Sequence, residues 1–371
     1  MLTVFLLAAA SLIAADGALI TAVKSGDAAA VRKLIQQGTT VTAPATDGTT
    51  ALHWAVESDN LEVTRLLLQA GASAKAANRY GVTPLQLAAV NGNAAVIRML
   101  LDAGADPNAV LPEGETVLMT AARTGSAEAI TVLLDRGANV DAREHWYGES
   151  ALMWAAAENH ADAVRILVAR GADIDSRSTL QKYSRRAGQS ILPLGNWTPL
   201  MYAARENALD SGRALVKAGA GMNLVDPDGA TALVIAIINA HYEFAAMLLE
   251  AGADPNVVDN EAGMGALYAA VDMHRLAVGH GRPSPRPAGL MTSVDIVKML
   301  LAHGADPNRR LKKPILQRHH TAGDSTLGDG ATPFLRAAKS GDIAMMRALA
   351  AGGADPKLTM PNHSNALMYA S

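Results

Sequence analysis

The sequence predicts an all-α fold: a solenoid of about nine helix-turn-helix units, each followed by an extended finger loop. Two recurring markers and one fact of composition carry this prediction. The tripeptides TAL, TPL, TVL, SAL, TPL, TAL, GAL, TPF and NAL begin at Thr50, Thr83, Thr116, Ser150, Thr198, Thr231, Gly265, Thr332 and Asn365. After a Leu-rich run comes a Gly-Ala or Gly-Thr pair, with its Gly at Gly38, Gly71, Gly104, Gly137, Gly171, Gly219, Gly252, Gly304 and Gly353. In seven of the eight complete units the first marker precedes the second by 21 residues, and most successive units lie 33 or 34 residues apart. The chain has 371 residues, 50% of them apolar but only 4% aromatic, so its core must be filled by Ala, Leu, Val and Met. One unit cannot bury the apolar faces of both its helices, so neighbours must stack into a thin, ribbon-like core.

Residues 83–115 show how one unit is built. Thr83 caps the first helix and Pro84 suits its first turn. Ala88 and Ala89 are small enough for close approach to a neighbour, and Gly92 punctuates. Val96, Met99, Leu100 and Leu101 form the apolar face of a second helix at i, i+3, i+4 spacing. Gly104 supplies a left-handed stop. Asp106-Pro107-Asn108 then turns the chain outward. Counting back from Gly38 places a degenerate first unit at Gly17.

The period, the TPLxxAA opening (TPLQLAA at 83–89, TALHWAV at 50–56, TPLMYAA at 198–204) and the GADPN closing (104–108, 252–256, 304–308) resemble the ankyrin repeat over residues 16–371. Openings with Met and long units with insertions are similar to ankyrin arrays of bacterial proteins. The resemblance implies a non-catalytic scaffold that binds protein through its fingers and the concave face of its first helices. The family's usual His after TPL is present as His53 alone; Gln86, Met119, Met153, Met201, Val234, Tyr268 and Leu335 take its place elsewhere. Apolar packing is expected to replace the hydrogen bonds between repeats that this His makes.

Applied unit by unit, the resemblance picks out contact residues. On the fingers these are Arg79 and Tyr80, Glu113, Trp146 and Tyr147, Trp197 and Asp228. On the first helices they are Glu57, Arg123, Glu158, Arg205, Glu206 and Lys339. Aromatic residues and Arg dominate interface energetics, so Trp146 and Tyr147 are the leading pair. Trp54, Trp154 and Tyr202 are expected to be partly buried between repeats.

The period breaks at 176–197, 274–294 and 308–331. The finger after Gly171 takes 27 residues to reach Thr198, and that after Gly304 takes 28 to reach Thr332, where the others take 12 or 13. The first insertion holds Arg177, Lys182, Arg185 and Arg186; the second holds Arg309, Arg310, Lys312, Lys313 and Arg318. The whole chain is at −3, so these loops are local basic surface on an acidic remainder. They are expected either to face an acidic partner, an anionic glycan or lipid headgroups, or to be solvated loops that offset the scaffold's charge. The Pro-rich stretch 279–289 reads as a loop.

No catalytic, cofactor or metal site is expected. HExxH, GxSxG and Walker A motifs do not occur, and the chain has no Cys. His319-His320 are adjacent and His274 and His280 six apart, neither of which makes a ligand set. Asp106, Asp254, Asp306 and Asp355 recur with the GADP turns, which argues for turn capping. The net charge argues against a nucleic-acid partner. Residues 2–15, LTVFLLAAASLIAA, fit a secretory signal cleaved after Ala15, giving an exported chain; the alternative is a buried first helix in a cytoplasmic one. Residues 365–371 begin a further unit, so the sequence is expected to be part of a longer protein, with a recognition module of an enzyme or redox protein as the alternative role, or else to have a partner over its end.

Overall fold

A computed structural model describes residues 17–181, 195–259, 262–274, 286–313 and 327–370. Its described part is helical, with five isolated antiparallel bridges as its β-type pairing: Pro44 with Thr50, Val110 with Thr116, Leu180 with Gly195, Val225 with Thr231 and Val258 with Gly265. The chain divides into two compact units, Met1–Ala155 with Asp162–Asp173, and Ala156–Ala161 with Ile174–Ser371. The proposed leader lies outside the described residues, as do Lys182, Arg185, Arg186, His280, Arg318, His319 and His320.

The helices, in chain order, are α1 (17–24), α2 (Ala28–Gln36), α3 (Ala51–Glu57), α4 (Leu61–Gln69), α5 (Pro84–Asn91), α6 (Ala94–Asp102), α7 (Val117–Thr124), α8 (Ala127–Asp135), α9 (Ala151–Ala157) and α10 (Ala161–Ala169). There follow α11 (Pro199–Glu206), α12 (Leu209–Lys217), α13 (Ala232–Ile238), α14 (Tyr242–Glu250), α15 (Ala266–His274), α16 (Ser293–Ala302), α17 (Pro333–Lys339), α18 (Ile343–Ala351) and α19 (Ala366–Ala370). In the first unit α3, α5 and α7 pack in a row, each against its own partner α4, α6 or α8, and the partners pack on one another. The second unit repeats the scheme: α11, α13, α15 and α17 form the inner row and α12, α14, α16 and α18 the outer one.

The core is what the composition requires. Leu52, Ala55, Ala88, Ala89, Ala121, Ala122 and Leu118 are buried where first helices meet, and Val63, Leu67, Ile97, Leu100, Ile130 and Leu133 where second helices close over them. Burying one such Leu or Ile stabilises by about 1.5–3 kcal/mol. Gly104 has φ +88°, with only a Lys75 carbon near its would-be Cβ, so backbone conformation and not space demands glycine there.

The unit openings combine a cap with a stacking contact. Thr83, Thr116 and Thr198 accept an N–H from the third helical residue, and the side chain of that residue reaches back to the N-cap backbone. His53 does more. Its Nδ1 accepts the Thr50 N–H at 3.1 Å, while Nε2, 3.1 Å from the Val82 carbonyl, donates into the next unit's finger. This fixes the Nε2–H tautomer. Gln86 keeps the capping half through Oε1, 3.0 Å from the Thr83 nitrogen, but its buried Nε2 has no partner among the described residues. Met119 and Met201 accept weakly through sulfur, at 3.4 and 3.5 Å, and carry no donor for a second bond. The expected replacement of hydrogen bonding by packing therefore describes the Met positions, where both side chains are buried, and His53 retains its bond between repeats.

Burial holds the His53 imidazole below its ordinary pKa of 6.5, against the opposing effect of its bond to Val82. Below that value the unfolded chain binds a proton that the folded chain refuses, so this contribution to stability is lost as pH falls. Urea unfolding from about pH 7 to about pH 5 should show the native chain losing more stability than His53→Gln; parallel curves would contradict the assignment.

Candidate interaction surface

The fingers of the first unit are fixed by side-chain acceptors at their bases, half-buried Asn78 and buried Glu144, that gather the backbone donors of the tips. Asn78 Oδ1 accepts the N–H groups of Tyr80 and Val82, both at 3.0 Å. In the finger that carries Trp146, the carboxylate of buried Glu144 accepts three, from Trp146 at 2.6 Å, Tyr147 at 2.8 Å and Glu149 at 2.8 Å. Arg143 closes the same loop by donating to the Gly148 carbonyl at 2.9 Å. Neighbouring fingers are joined through main chain, Arg79 N–H to the Asp47 carbonyl and His145 N–H to the Glu113 carbonyl, both at 2.8 Å. Asp47 itself is held below the usual carboxylate range by the N–H and hydroxyl of Thr49.

Out of this fixed frame stand Tyr80, Trp146 and Tyr147, which are 57%, 67% and 51% exposed. The Arg79 guanidinium lies 4.8 Å from the Tyr80 ring centroid and donates to its hydroxyl at 2.6 Å, so the two side chains present one platform. On the first helices, Arg123 sits 5.1 Å from the Trp154 ring and 3.3 Å from Glu115. Trp154 donates from Nε1 to Glu149 at 2.8 Å, and Lys24 lies 3.7 Å above the Trp54 ring. Trp54 and Trp154 are half-buried, Glu57 and Glu113 exposed. Large apolar rings, each steadied by a cation or a buried acceptor, thus line the finger side of this unit.

The second unit differs. Trp197 was picked as a finger contact, but it is 4% exposed: its Nε1 donates to Asp226 at 3.3 Å and its ring meets Tyr202 edge-on at 5.5 Å. Its indole is swallowed because the long finger folds back, with Trp197 N–H bonded to the Ser178 hydroxyl and Arg177 donating to the carbonyls of Asn196 and Val225. Arg177 therefore holds the finger through main chain, as Arg310 does in the second long finger. Arg205 is exposed, 5.6 Å from the Trp197 ring and 2.7 Å from Glu206. Asp228 is half-buried, with its N–H on Asp226; Glu158 is exposed just beyond the end of α9. Lys339 sits 5.9 Å from the Tyr369 ring. On the second long finger Arg310 donates to the Thr359 carbonyl at 2.7 Å, while Lys312 is exposed and Lys313 half-buried, as is Arg309.

Two features escaped the sequence reading. The Asn of the GADPN closings bridges repeats: Asn108, Asn256 and Asn308 each donate to the Gly carbonyl of the following closing and accept the N–H two residues beyond it. The signal was present, since Asn recurs at one position. The Asp of the same motif caps its own turn, with Asp106, Asp254, Asp306 and Asp355 each accepting the N–H two residues on. The second feature is a buried ionic cluster. Arg336 on α17 meets Asp272 on α15 at 2.5 Å; His274 bonds Ser293 at the start of α16 and lies 3.1 Å from Asp342, the N-cap of α18. Burial raises the Tyr242 hydroxyl pKa despite a hydrogen bond with Ser293. Ser293 and Asp342 are both buried, so the cluster pins four helices together; removing one partner of such a pair costs about 3–5 kcal/mol.

Glu144 is the test of finger rigidity. Glu144→Ala should cost about 1–3 kcal/mol of stability and speed amide exchange at 146, 147 and 149. Exchange unchanged at those three amides would show that the loop is held otherwise.

Family comparison bears on the same residues. Three copies of a family model described as ankyrin repeats match residues 19–111, 104–178 and 182–259, and a single ankyrin repeat matches 263–312. No curated protein matches the chain. With matched repeats over most of its length and stacked helix pairs in both of its units, the chain belongs to the ankyrin repeat family.

Proposed function

We propose that this ankyrin repeat protein is a non-catalytic scaffold that binds a protein partner through its finger loops and adjoining first helices, with Trp146 and Tyr147 at the centre of contact. The observation that carries this reading is the exposure of two large aromatic rings on a loop whose backbone is already fixed by Glu144. Ring surface left in water gains nothing for the fold. A rigid aromatic pair loses little conformational freedom on binding, which is where interfaces gain affinity. Arg79 with Tyr80, and Arg123 beside Trp154, extend the same surface.

A second contact is the basic segment Arg309, Arg310, Lys312 and Lys313, which we assign to an acidic patch on the partner; Lys312 is exposed and Arg310 tethers the segment to the Thr359 carbonyl. Like charges gathered on an acidic chain raise the association rate of an oppositely charged surface. The apolar run 2–15, ending in small residues before Asp16, supports export of the chain; amino-terminal sequencing of the secreted product should begin at Asp16, and a retained Met1 would refute it.

Partner capture from the exported fraction tests both contacts. Trp146→Ala with Tyr147→Ala should lower recovery at least about tenfold at all salt concentrations. Replacing the four basic residues by Ser should flatten the salt dependence. Equal recovery of every partner by native and double-variant chains would reject the aromatic centre.

A further inference from the structure

Three fingers of the first unit follow one another: the first carries Tyr80, the second Pro112 and Glu113, the third Trp146 and Tyr147. They touch. A Cβ on Gly81 would stand 3.1 Å from the Pro112 ring, and His145 N–H bonds the Glu113 carbonyl at 2.8 Å. Each finger leads into a first helix, and helices packed side by side lie about 8–10 Å apart, so the tips advance by about that step. The order along the row is ring, carboxylate, rings. Pro112 and Glu113 are exposed, and the Glu113 carboxylate forms no ion pair among the described residues.

Two properties of this row select the shape of a ligand. The first is that its backbone donors are already used. The N–H groups of Tyr80, Gly81, Gly114, Trp146 and Tyr147 bond within their own fingers, and those of Arg79 and His145 bond the preceding finger. A strand added through main-chain bonds finds little to pair with, so recognition falls to ring faces and one carboxylate. The second is the step between tips. A polyproline II helix turns once in three residues, about 9.3 Å, and so offers the same edge to each successive finger. A β-strand repeats a face every two residues, about 6.7 Å, and drifts out of step. An α-helix lays an apolar stripe in a hydrophobic groove, and here a carboxylate stands in the middle. We propose that the finger row of the first unit binds a proline-rich segment of the partner in polyproline II form. One Pro packs on Tyr80, an Arg three residues on pairs with Glu113, and a Pro three further packs on Trp146 and Tyr147. This rests on the fingers being the partner-binding surface and adds what they bind. A segment already extended loses little freedom on docking, which suits rings held on a fixed backbone.

Fluorescence anisotropy of the full chain with a labelled Pro-Pro-Pro-Arg-Pro-Pro-Pro peptide tests this. The same composition with Arg moved to the second position should bind more weakly, because one ring contact is lost when Arg meets Glu113. Glu113→Gln should weaken binding of the first peptide about threefold and remove its advantage over the second. Trp146→Ala with Tyr147→Ala should weaken it about tenfold or more. All three side chains are exposed, so an unchanged melting temperature shows that the fold is kept. Equal affinity for the two Arg positions, or native affinity in Glu113→Gln, would overturn the proposal. So would equal binding of Val-Thr-Val-Arg-Val-Thr-Val, which favours a strand. If the native chain ignores every peptide while the double aromatic variant still loses partner capture, the aromatic contact stands and its proline-rich ligand falls.

Discussion

Each helix pair in this chain has apolar surface on two sides and can cover neither by itself. That constraint governs the rest. It makes neighbour the main source of burial, so α5 is covered by α3, α6 and α7, and α15 by α13, α16 and α17. It keeps the layers thin, which is why Ala and Leu suffice where a compact domain would need aromatic bulk. It also leaves the loops between pairs outside the core, free to take side chains that the packing would reject.

Freed loops must still be rigid to serve as a contact surface, and polar bonds do that work. Asn78, Glu144, Asp226 and Asp259 each collect two or more backbone donors within their own finger. The GADPN asparagines then tie one finger base to the next. Surface ion pairs between successive second helices, such as Arg136 with Asp102 and Arg170 with Asp135, both at 2.7 Å, add little to this frame because water competes for both partners. The frame separates two kinds of surface: aromatic and cation-steadied in the first unit, basic in the second.

The repeat register was legible in the sequence because it is written in residue types with narrow physical roles. Thr starts helices, Gly stops them at positive φ, and apolar residues fall at helical spacing. Contacts between units were harder to read. Trp197 sits at a finger position like Trp146, yet one is buried and the other exposed. The difference lies in how the longer finger folds back through Ser178 and Arg177, which no local spacing encodes. The Asp272–Arg336 pair joins residues 64 apart through stacking alone. Glu144 belongs to no motif of the repeat; its burial, and the three donors it gathers, follow from a turn geometry visible only in three dimensions. The basic segment 309–313 was visible as charge, but the division of labour within it was not: Arg310 binds main chain, Lys312 faces solvent and Arg309 is half-buried.

If neighbour-dependent burial holds the finger row in place, damage to one buried layer must spread to adjacent units and weaken with distance. Hydrogen exchange along the first unit of a Leu118→Ala chain measures this directly, since Leu118 is buried in α7 and such a truncation costs about 2–5 kcal/mol. Exchange should quicken in α7, then in α5, α8 and the fingers at 109–115 and 144–149, and fade toward α2. Acceleration confined to α7, or equal at α7 and α2, would contradict the account.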